Sequence, residues 1–170
     1  MCILAASLAV YFLAYSPKGN KSLVYNFSRT IKYDNATGEY YGGSLLGWNA
    51  SGQVSLNDTN AVEIFMSSSI SRQFRAVSSK VVVSFTWTSY AGVTETMTMV
   101  IHRQLNGVYS DWTYNSNALG SSNPEISTPY TSKTGFGVDN GTLFTVELTM
   151  NNATVGFLNQ VELWNSAEVP

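Results

Sequence analysis

Residues 80–102 read KVVVSFTWTSYAGVTETMTMVIH, and their alternation is the strongest indication of the fold. Apolar side chains alternate with Ser and Thr over two consecutive stretches, Lys80–Ser89 and Gly92–His102. A period of two places one set of side chains in a core and the other toward solvent, which is typical of strands in an antiparallel sheet. The short segment Ser89–Gly92 between the two stretches predicts a tight hairpin connection.

The same alternation continues on both sides of this segment. It predicts strands at Ser22–Tyr33, Val108–Tyr114, Leu143–Met150 and Thr154–Trp164, and weaker strands at Glu39–Leu46, Gln53–Asn57, Ala61–Met66 and Gln73–Val77. Asn106-Gly107 tolerates two positive φ angles and predicts a type I′ hairpin turn. Residues 115–142 are rich in Ser, Asn, Gly and Pro and predict a long loop. Short strands at this spacing indicate an all-β fold, an antiparallel β-sandwich that is immunoglobulin-like in outline.

The composition excludes several classes of protein. Charged residues make up 12% of the 170 residues and the net charge is −2, so a basic nucleic-acid surface is excluded. One Cys and one His exclude a disulfide within the chain and a zinc site built from several such ligands. We therefore expect no nucleic-acid partner, no metal-binding residues and no cofactor. Polarity that comes mainly from hydroxyls and amides indicates an exported protein.

An apolar segment at residues 1–15 precedes a polar linker at 16–21 and the sandwich domain at 22–170. The segment has the length of the hydrophobic part of a signal peptide, although no Lys or Arg stands before it. It is short for a membrane helix, which needs about 20 apolar residues. A third interpretation is an extended strand buried on both faces, donated to a groove in the next copy of the chain. The candidate donor-strand residues are Ile3, Leu4, Leu8, Val10, Tyr11, Phe12, Leu13 and Tyr15.

Six Asn-x-Ser/Thr sequons predict that the exported protein carries covalent N-glycans. Their positions favour this interpretation, because they fall in predicted turns, at predicted strand edges or on an outward strand face, where a bulky sugar has room. The sequon asparagines are Asn26, Asn35, Asn49, Asn57, Asn140 and Asn152.

Candidates for catalysis are weak. His102 has no second His or reactive Cys to act with, and Cys2 lies within the apolar segment. Glu95 and Glu147 are the carboxylates that a glycosidase pair would use, yet strand carboxylates are usually solvated. Asp139 belongs to a fragment that resembles part of a calcium loop but favours a turn. We therefore predict no catalytic residues and a protein that is not an enzyme.

Aromatic residues are the remaining candidates for binding. They would form either a platform on which sugar rings stack or part of the core and strand edges. These residues are Tyr40, Tyr41, Trp48, Tyr90 and Trp112.

In organisation, with its apolar N-terminal segment, short linker, all-β domain, sequons and few charges, the chain resembles archaeal surface-filament subunits of the thread type. Those proteins are glycosylated and join by donor-strand complementation, similar to chaperone–usher pilins. The resemblance implies an extracellular, cell-surface filament of identical subunits, with host surfaces or neighbouring cells as further contacts. Two alternatives stay open: a membrane-anchored or secreted carbohydrate-binding β-sandwich, with Trp48 or Tyr40 in its site, and a viral coat or turret protein.

Overall fold

A computed structural model describes residues 22–27, 31–34, 36–37, 39–42, 44–57, 61–89, 94–119, 129–151 and 155–170. These residues form fourteen strands. In chain order they are β1 Leu23–Asn26, β2 Ile31–Asp34, β3 Glu39–Gly42, β4 Asn49–Ser51, β5 Val54–Asn57, β6 Ala61–Phe65, β7 Ser69–Ala76, β8 Lys80–Ser89, β9 Thr94–Leu105, β10 Val108–Leu119, β11 Tyr130–Gly137, β12 Leu143–Met150, β13 Val155–Trp164 and β14 Ser166–Glu168. No helix in these ranges is long and apolar enough to cross a membrane.

Most strands belong to two antiparallel sheets. The first sheet has the order β11-β8-β13-β6-β5, with β1 also paired to β13. The second has the order β10-β9-β12-β7-β14, with β4 also paired to β7. Strands β2 and β3 form a separate two-stranded ribbon. The two larger sheets share one core, so the predicted all-β sandwich is confirmed.

Most of the core consists of the apolar side chains that the period-two pattern predicts to face inward, and Trp48, Ile70 and Phe136 join it from outside the predicted strands. Burying large aromatic and aliphatic side chains between two sheets is the main favourable contribution to folding. The largest side chains with almost no exposure are Trp87, Phe27, Phe74, Phe85, Phe144, Ile64, Ile70, Met97, Met99, Ile101, Leu148 and Met150.

The two predicted hairpins have different outcomes. Asn106 and Gly107 have φ values of 53° and 76° and connect the paired strands β9 and β10, as predicted. The hairpin predicted at Ser89–Gly92 is wrong, because β8 pairs with β11 and β13 in the first sheet. Strand β9 pairs with β10 and β12 in the second sheet, so the chain crosses between the sheets here. Two consecutive amphipathic strands bury their apolar faces equally well whether they lie in different sheets or pair as a hairpin within one sheet.

Two further predictions are corrected. The segment 115–142 contains the end of β10 and all of β11 and is not one long loop. Strand β11 is polar because it lies at the edge of the first sheet, where pairing with β8 supplies its backbone hydrogen bonds. The predicted strand Ser22–Tyr33 is two strands, β1 in the first sheet and β2 in the small ribbon.

A polar cluster ties the beginning of the sandwich to its end. The Tyr25 hydroxyl on β1 donates to Glu168 Oε1 at 2.7 Å, and Arg72 Nη2 lies 3.2 Å from the same carboxylate oxygen. Arg72 also donates to the carbonyl of Leu46 and lies over the Tyr25 ring, with 4.7 Å between Cζ and the ring centroid. Burial, and then the hydrogen bond to Glu168, raise the pKa of Tyr25, so the phenol stays protonated.

Candidate functional site

The second sheet turns one face to solvent, and strand pairing arranges the side chains of this face in rows. Residues paired across neighbouring strands stand opposite one another on the same face. The first row, named the His102 row, consists of Asp111 on β10, His102 on β9, Thr145 on β12 and Gln73 on β7. The next set, named the Tyr109 row, consists of two facing pairs, Tyr109 on β10 with Gln104 on β9 and Leu143 on β12 with Arg75 on β7. The pairing of β9 with β12 begins beside it, at His102 and Thr145.

Both rows line one open cleft of about 570 Å³. The turn between β11 and β12 adds Gly141 and Thr142 to the lining. Neighbouring strands lie about 4.8 Å apart, so the three strand spacings from Tyr109 to Arg75 span about 14 Å. Concave surfaces on which several polar groups converge are the usual place for binding a small ligand. The cleft is therefore the candidate functional site of the described residues.

Tyr109 marks one end of the cleft. Its side chain is 81% exposed, the highest exposure among the large hydrophobic and aromatic residues described. It follows the Asn106-Gly107 turn by two residues and lies in the outward register of β10. Trp112 and Tyr114 lie in the opposite register, half-buried, with their rings stacked at 6.2 Å and an interplanar angle of 9°. An exposed aromatic ring offers a flat apolar face together with a polar hydroxyl.

Asp139 fixes the hairpin that carries Tyr109. Its Oδ1 accepts the backbone N–H of Asn106 and its Oδ2 accepts that of Gly107, both at 2.8 Å. The backbone N–H of Asp139 also donates to the carbonyl of Gln104 at 2.8 Å. The turn predicted around Asp139 is confirmed, and its carboxylate binds the neighbouring hairpin. The described residues contain no group of three or more His, Cys, Asp or Glu side chains placed to hold a metal ion.

Arg75 marks the other end of the cleft. One guanidinium nitrogen, Nη1, donates to the carbonyl of Gly141 at 2.8 Å. A guanidinium carries five N–H donors, so this bond orients the group and leaves donors for a ligand. Gln104 on β9 and Leu143 on β12 lie between the two ends, and Gln73 lines the cleft beside Arg75 on β7.

His102 stands in the cleft between two carboxylates. Its Nδ1 lies 2.8 Å from Asp111 Oδ1 and its Nε2 lies 3.1 Å from Glu147 Oε2. Burial lowers the pKa of His102, but the hydrogen bonds to Glu147 and Asp111 and their charges outweigh it, so the pKa rises above 6.5. A hydrogen bond with Ser69 lowers the pKa of Glu147 more than burial raises it, and the hydrogen bond with His102 lowers it further. The three side chains therefore form one hydrogen-bonded unit, in which the two carboxylates favour the protonated imidazole.

We expect the substitutions Asp111→Asn and Glu147→Gln each to lower the pKa of His102 toward 6.5, because each removes one carboxylate partner. Because the pKa of His102 is higher in the folded state than in the unfolded state, protonation of the imidazole stabilises the fold. This stabilisation is fully present below the unfolded-state pKa of about 6.5 and is lost as the pH rises through the folded-state pKa. Since the chain has one histidine, its imidazole NMR signals report the titration directly. Glu63→Gln, on a strand of the other sheet, is the matched control and leaves the pKa unchanged. Titration of wild-type His102 at or below 6.5 contradicts the interpretation.

Of the five aromatic residues considered for a platform, only Trp48 and Trp112 have described side chains. Trp48 is 3% exposed and packs edge-on against Tyr25, Phe27 and Phe74. The alternative that placed Trp48 in the core is therefore confirmed, and the one that placed it in a binding site is wrong. Trp112 packs against Phe136 at 5.8 Å between ring centroids. Tyr90 and the side chains of Tyr40 and Tyr41 lie outside the described residues. Tyr109 was not among the residues predicted from the sequence. A signal was present, because Tyr109 follows the Asn106-Gly107 turn and lies in the register of β10 opposite to that of Trp112.

The two carboxylates considered as a glycosidase pair lie on opposite faces of the second sheet. Glu95 is 1% exposed and shares the inward register of Met97 and Met99, and its carboxylate accepts a hydrogen bond from the Ser89 hydroxyl. Glu147 lies on the outward face beside His102. The sheet between them prevents the two groups from acting on one bond.

Three of the six sequon asparagines have described side chains, and the candidate donor strand lies wholly outside the described residues. Asn49 and Asn140 are exposed, and Asn26 is partly buried. Asn57 ends β5, with its side chain outside the described residues, and Asn35 and Asn152 also lie outside them. All eight candidate donor-strand residues lie outside the described residues as well, so the donor strand stays a prediction.

No family model and no curated protein matches the chain. Solved structures match it in fold. The CBM22-1 xylan-binding domain from Paenibacillus barcinonensis aligns with a TM-score of 0.59 and 11% identity over 91% of this chain and 100% of that domain. A CBM35 from Cellvibrio japonicus aligns with a TM-score of 0.51 and 11% identity over 88% of this chain and 99% of that one.

A third structure is the CBM36-1 domain of a multidomain xylanase from the hindgut metagenome of Trinervitermes trinervoides. It aligns with a TM-score of 0.50 and 12% identity over 84% of this chain and 96% of that domain. The chain therefore has the β-sandwich fold found in these carbohydrate-binding modules (CBMs). At such low identities the likeness concerns the fold, and function must be argued from the site.

Proposed function

We propose that the protein is an extracellular, non-catalytic carbohydrate-binding domain, and that the cleft on the second sheet holds a short stretch of a polysaccharide. The observation that carries the proposal is the Tyr109 row, in which an exposed ring faces an amide, an apolar side chain faces a guanidinium, and all four line one cleft. The sandwich fold shared with carbohydrate-binding modules supports the proposal.

The chemistry of the Tyr109 row suits a sugar chain. A pyranose ring has apolar C–H faces and a rim of hydroxyls, so it binds best where a flat apolar surface is surrounded by hydrogen-bonding groups. Tyr109 supplies the flat surface, Gln104 supplies a donor and an acceptor, and Arg75 supplies donors. The span of about 14 Å across three strand spacings exceeds one sugar ring, which favours an oligosaccharide or a polysaccharide over a monosaccharide.

Binding without catalysis agrees with the hydrogen bonds in the cleft. Asp111 is the cleft's carboxylate, and it is engaged by His102. A glycosidase needs two carboxyl groups facing one glycosidic bond. Glu147, the nearest second carboxylate, binds the other nitrogen of the same imidazole. We therefore assign these groups to shaping the cleft.

Affinity electrophoresis against a panel of soluble polysaccharides, xylan included, tests the proposal. We expect at least one polysaccharide to retard the native protein, and calorimetry to give a saturable affinity for the matching oligosaccharide. Migration unchanged by every polysaccharide of a broad neutral and acidic panel would overturn the proposal. Intact oligosaccharide recovered after long incubation supports the absence of catalysis, and shortened products contradict it.

The filament of identical subunits stays a prediction. It depends on the apolar residues 1–15, which lie outside the described residues, and no family model or curated protein matches the chain to support it. A carbohydrate-binding domain at the surface is compatible with either a filament or an anchored protein. All the residues that line the cleft belong to the sandwich, so the cleft does not depend on the N-terminal segment.

A further inference from the structure

The turn between β11 and β12 stands at the end of the cleft next to the Tyr109 row. Within the turn, Thr142 N–H donates to the Asp139 carbonyl at 3.2 Å, and Thr142 Oγ1 donates to the same carbonyl at 2.6 Å. Gly141 N–H donates to the Ala76 carbonyl at 2.9 Å, which fastens the turn to the end of β7. Gly141 takes a φ of 81°, a value that glycine adopts without strain. The turn is thus held in one conformation.

Asn140 lies between the two contacts that join this turn to the cleft. Asp139, one residue before it, binds the hairpin that carries Tyr109, and Gly141, one residue after it, accepts from Arg75. Both ends of the Tyr109 row are therefore connected to the turn at positions next to Asn140. The Asn140 side chain is exposed and does not itself line the cleft.

Asn140 is also the acceptor of the sequon Asn140-Gly141-Thr142, and the other two residues of this sequon line the cleft. A glycan on Asn140 would be attached to a rigid turn beside the cleft, which is the proposed carbohydrate-binding site. An N-glycan is bulky and hydrophilic, and on Asn140 it would be attached one residue from Gly141, which lines the cleft.

We propose that N-glycosylation of Asn140 covers the cleft and thereby controls its access to external carbohydrate; the second half of this inference rests on the proposed function. The unmodified cleft is open, and the glycosylated one is covered by the chain's own sugar. Asn26 provides the contrast, because its strand β1 belongs to the first sheet, away from the cleft.

The test compares three proteins produced in one N-glycosylating host: the native chain, Asn140→Gln and Asn26→Gln. Intact mass before and after enzymatic deglycosylation gives the occupancy of each site. A soluble paramagnetic agent then measures how exposed the His102 imidazole is, since the chain's single histidine lies in the cleft and gives a resolved signal. We expect His102 broadening to be at least about twofold weaker in the native protein and in Asn26→Gln than in Asn140→Gln.

Polysaccharide binding is measured on the same three proteins. We expect Asn140→Gln to bind at least about tenfold more tightly than the native protein, and Asn26→Gln to bind like the native protein. An unoccupied Asn140, or equal His102 broadening in all three proteins, overturns the inference. If His102 broadening is weaker in the two proteins that keep Asn140 but none of the three proteins binds a polysaccharide, the result supports the covering of the cleft and overturns the proposed function. The failure of this inference and the failure of the proposed function are therefore distinguishable.

Discussion

The substitution Tyr109→Ala is expected to weaken polysaccharide binding by at least about tenfold, the effect of removing roughly 1.4 kcal/mol from a central aromatic contact. The ring is 81% exposed, so its loss removes a binding surface without opening a cavity. The free energy of unfolding is expected to change by no more than about 0.5 kcal/mol, as for most surface substitutions. Calorimetry with the bound oligosaccharide and urea denaturation of the same samples check both values.

Tyr130→Ala is the matched control for this variant. Tyr130 is 47% exposed, at the start of β11 in the first sheet, and does not line the cleft. We expect its removal to leave binding unchanged, and Tyr109→Phe to retain most of the affinity because the stacking face is kept. Equal affinities for the Ala variants of Tyr109 and Tyr130 would show that the sugar binds elsewhere.

The substitution Phe74→Ala is expected to lower the free energy of unfolding by about 3–5 kcal/mol, the usual cost of truncating a buried phenylalanine. Phe74 has no exposed surface, and its ring lies 5.9 Å from Tyr25, 5.9 Å from Trp48 and 5.8 Å from Phe144 between centroids. It connects strands of both sheets with the segment before β4. Urea denaturation measures the loss, and Phe74→Leu, with a smaller loss of the same sign, serves if the alanine variant does not fold.

The neighbouring residue provides the control for Phe74. Gln73 lies on the opposite, outward face of β7, and Gln73→Ala is expected to change the free energy of unfolding by no more than about 0.5 kcal/mol. Since Gln73 lines the cleft, we expect the same variant to weaken polysaccharide binding instead. Similar unfolding free energies for the two alanine variants would contradict the alternation of faces along β7.

The sequence predicted a strand well where the strand's own residues alternate between apolar and polar side chains. Strand β12 has the predicted bounds because Phe144, Val146, Leu148 and Met150 alternate with polar residues. The β9–β10 turn was predictable because Asn-Gly tolerates the two positive φ angles it requires. Strand β11 was missed because an edge strand of Ser, Thr, Lys and Gly becomes a strand through pairing with β8.

The candidate site was less predictable than the strands. Its two rows join residues of β7, β9, β10 and β12, and no local pattern states which of these strands become neighbours. Trp48 and Tyr109 are both aromatic residues near turns, yet one is in the core and the other is exposed. The sequence contains the residue types, whereas the register between strands determines which of them meet.

By itself the sequence determined the fold class, most strand positions, the β9–β10 turn and most of the inward-facing residues, because a side-chain period of two and turn chemistry act within a few residues. Only the tertiary structure decided that β8 and β9 lie in different sheets and which strands form the cleft. The tertiary structure also explains why residue 156 is a glycine, because a Cβ added there would lie only 2.8 Å from Met150 Sδ. These features depend on long-range pairing and close packing between segments far apart in the chain, which local residue patterns do not encode.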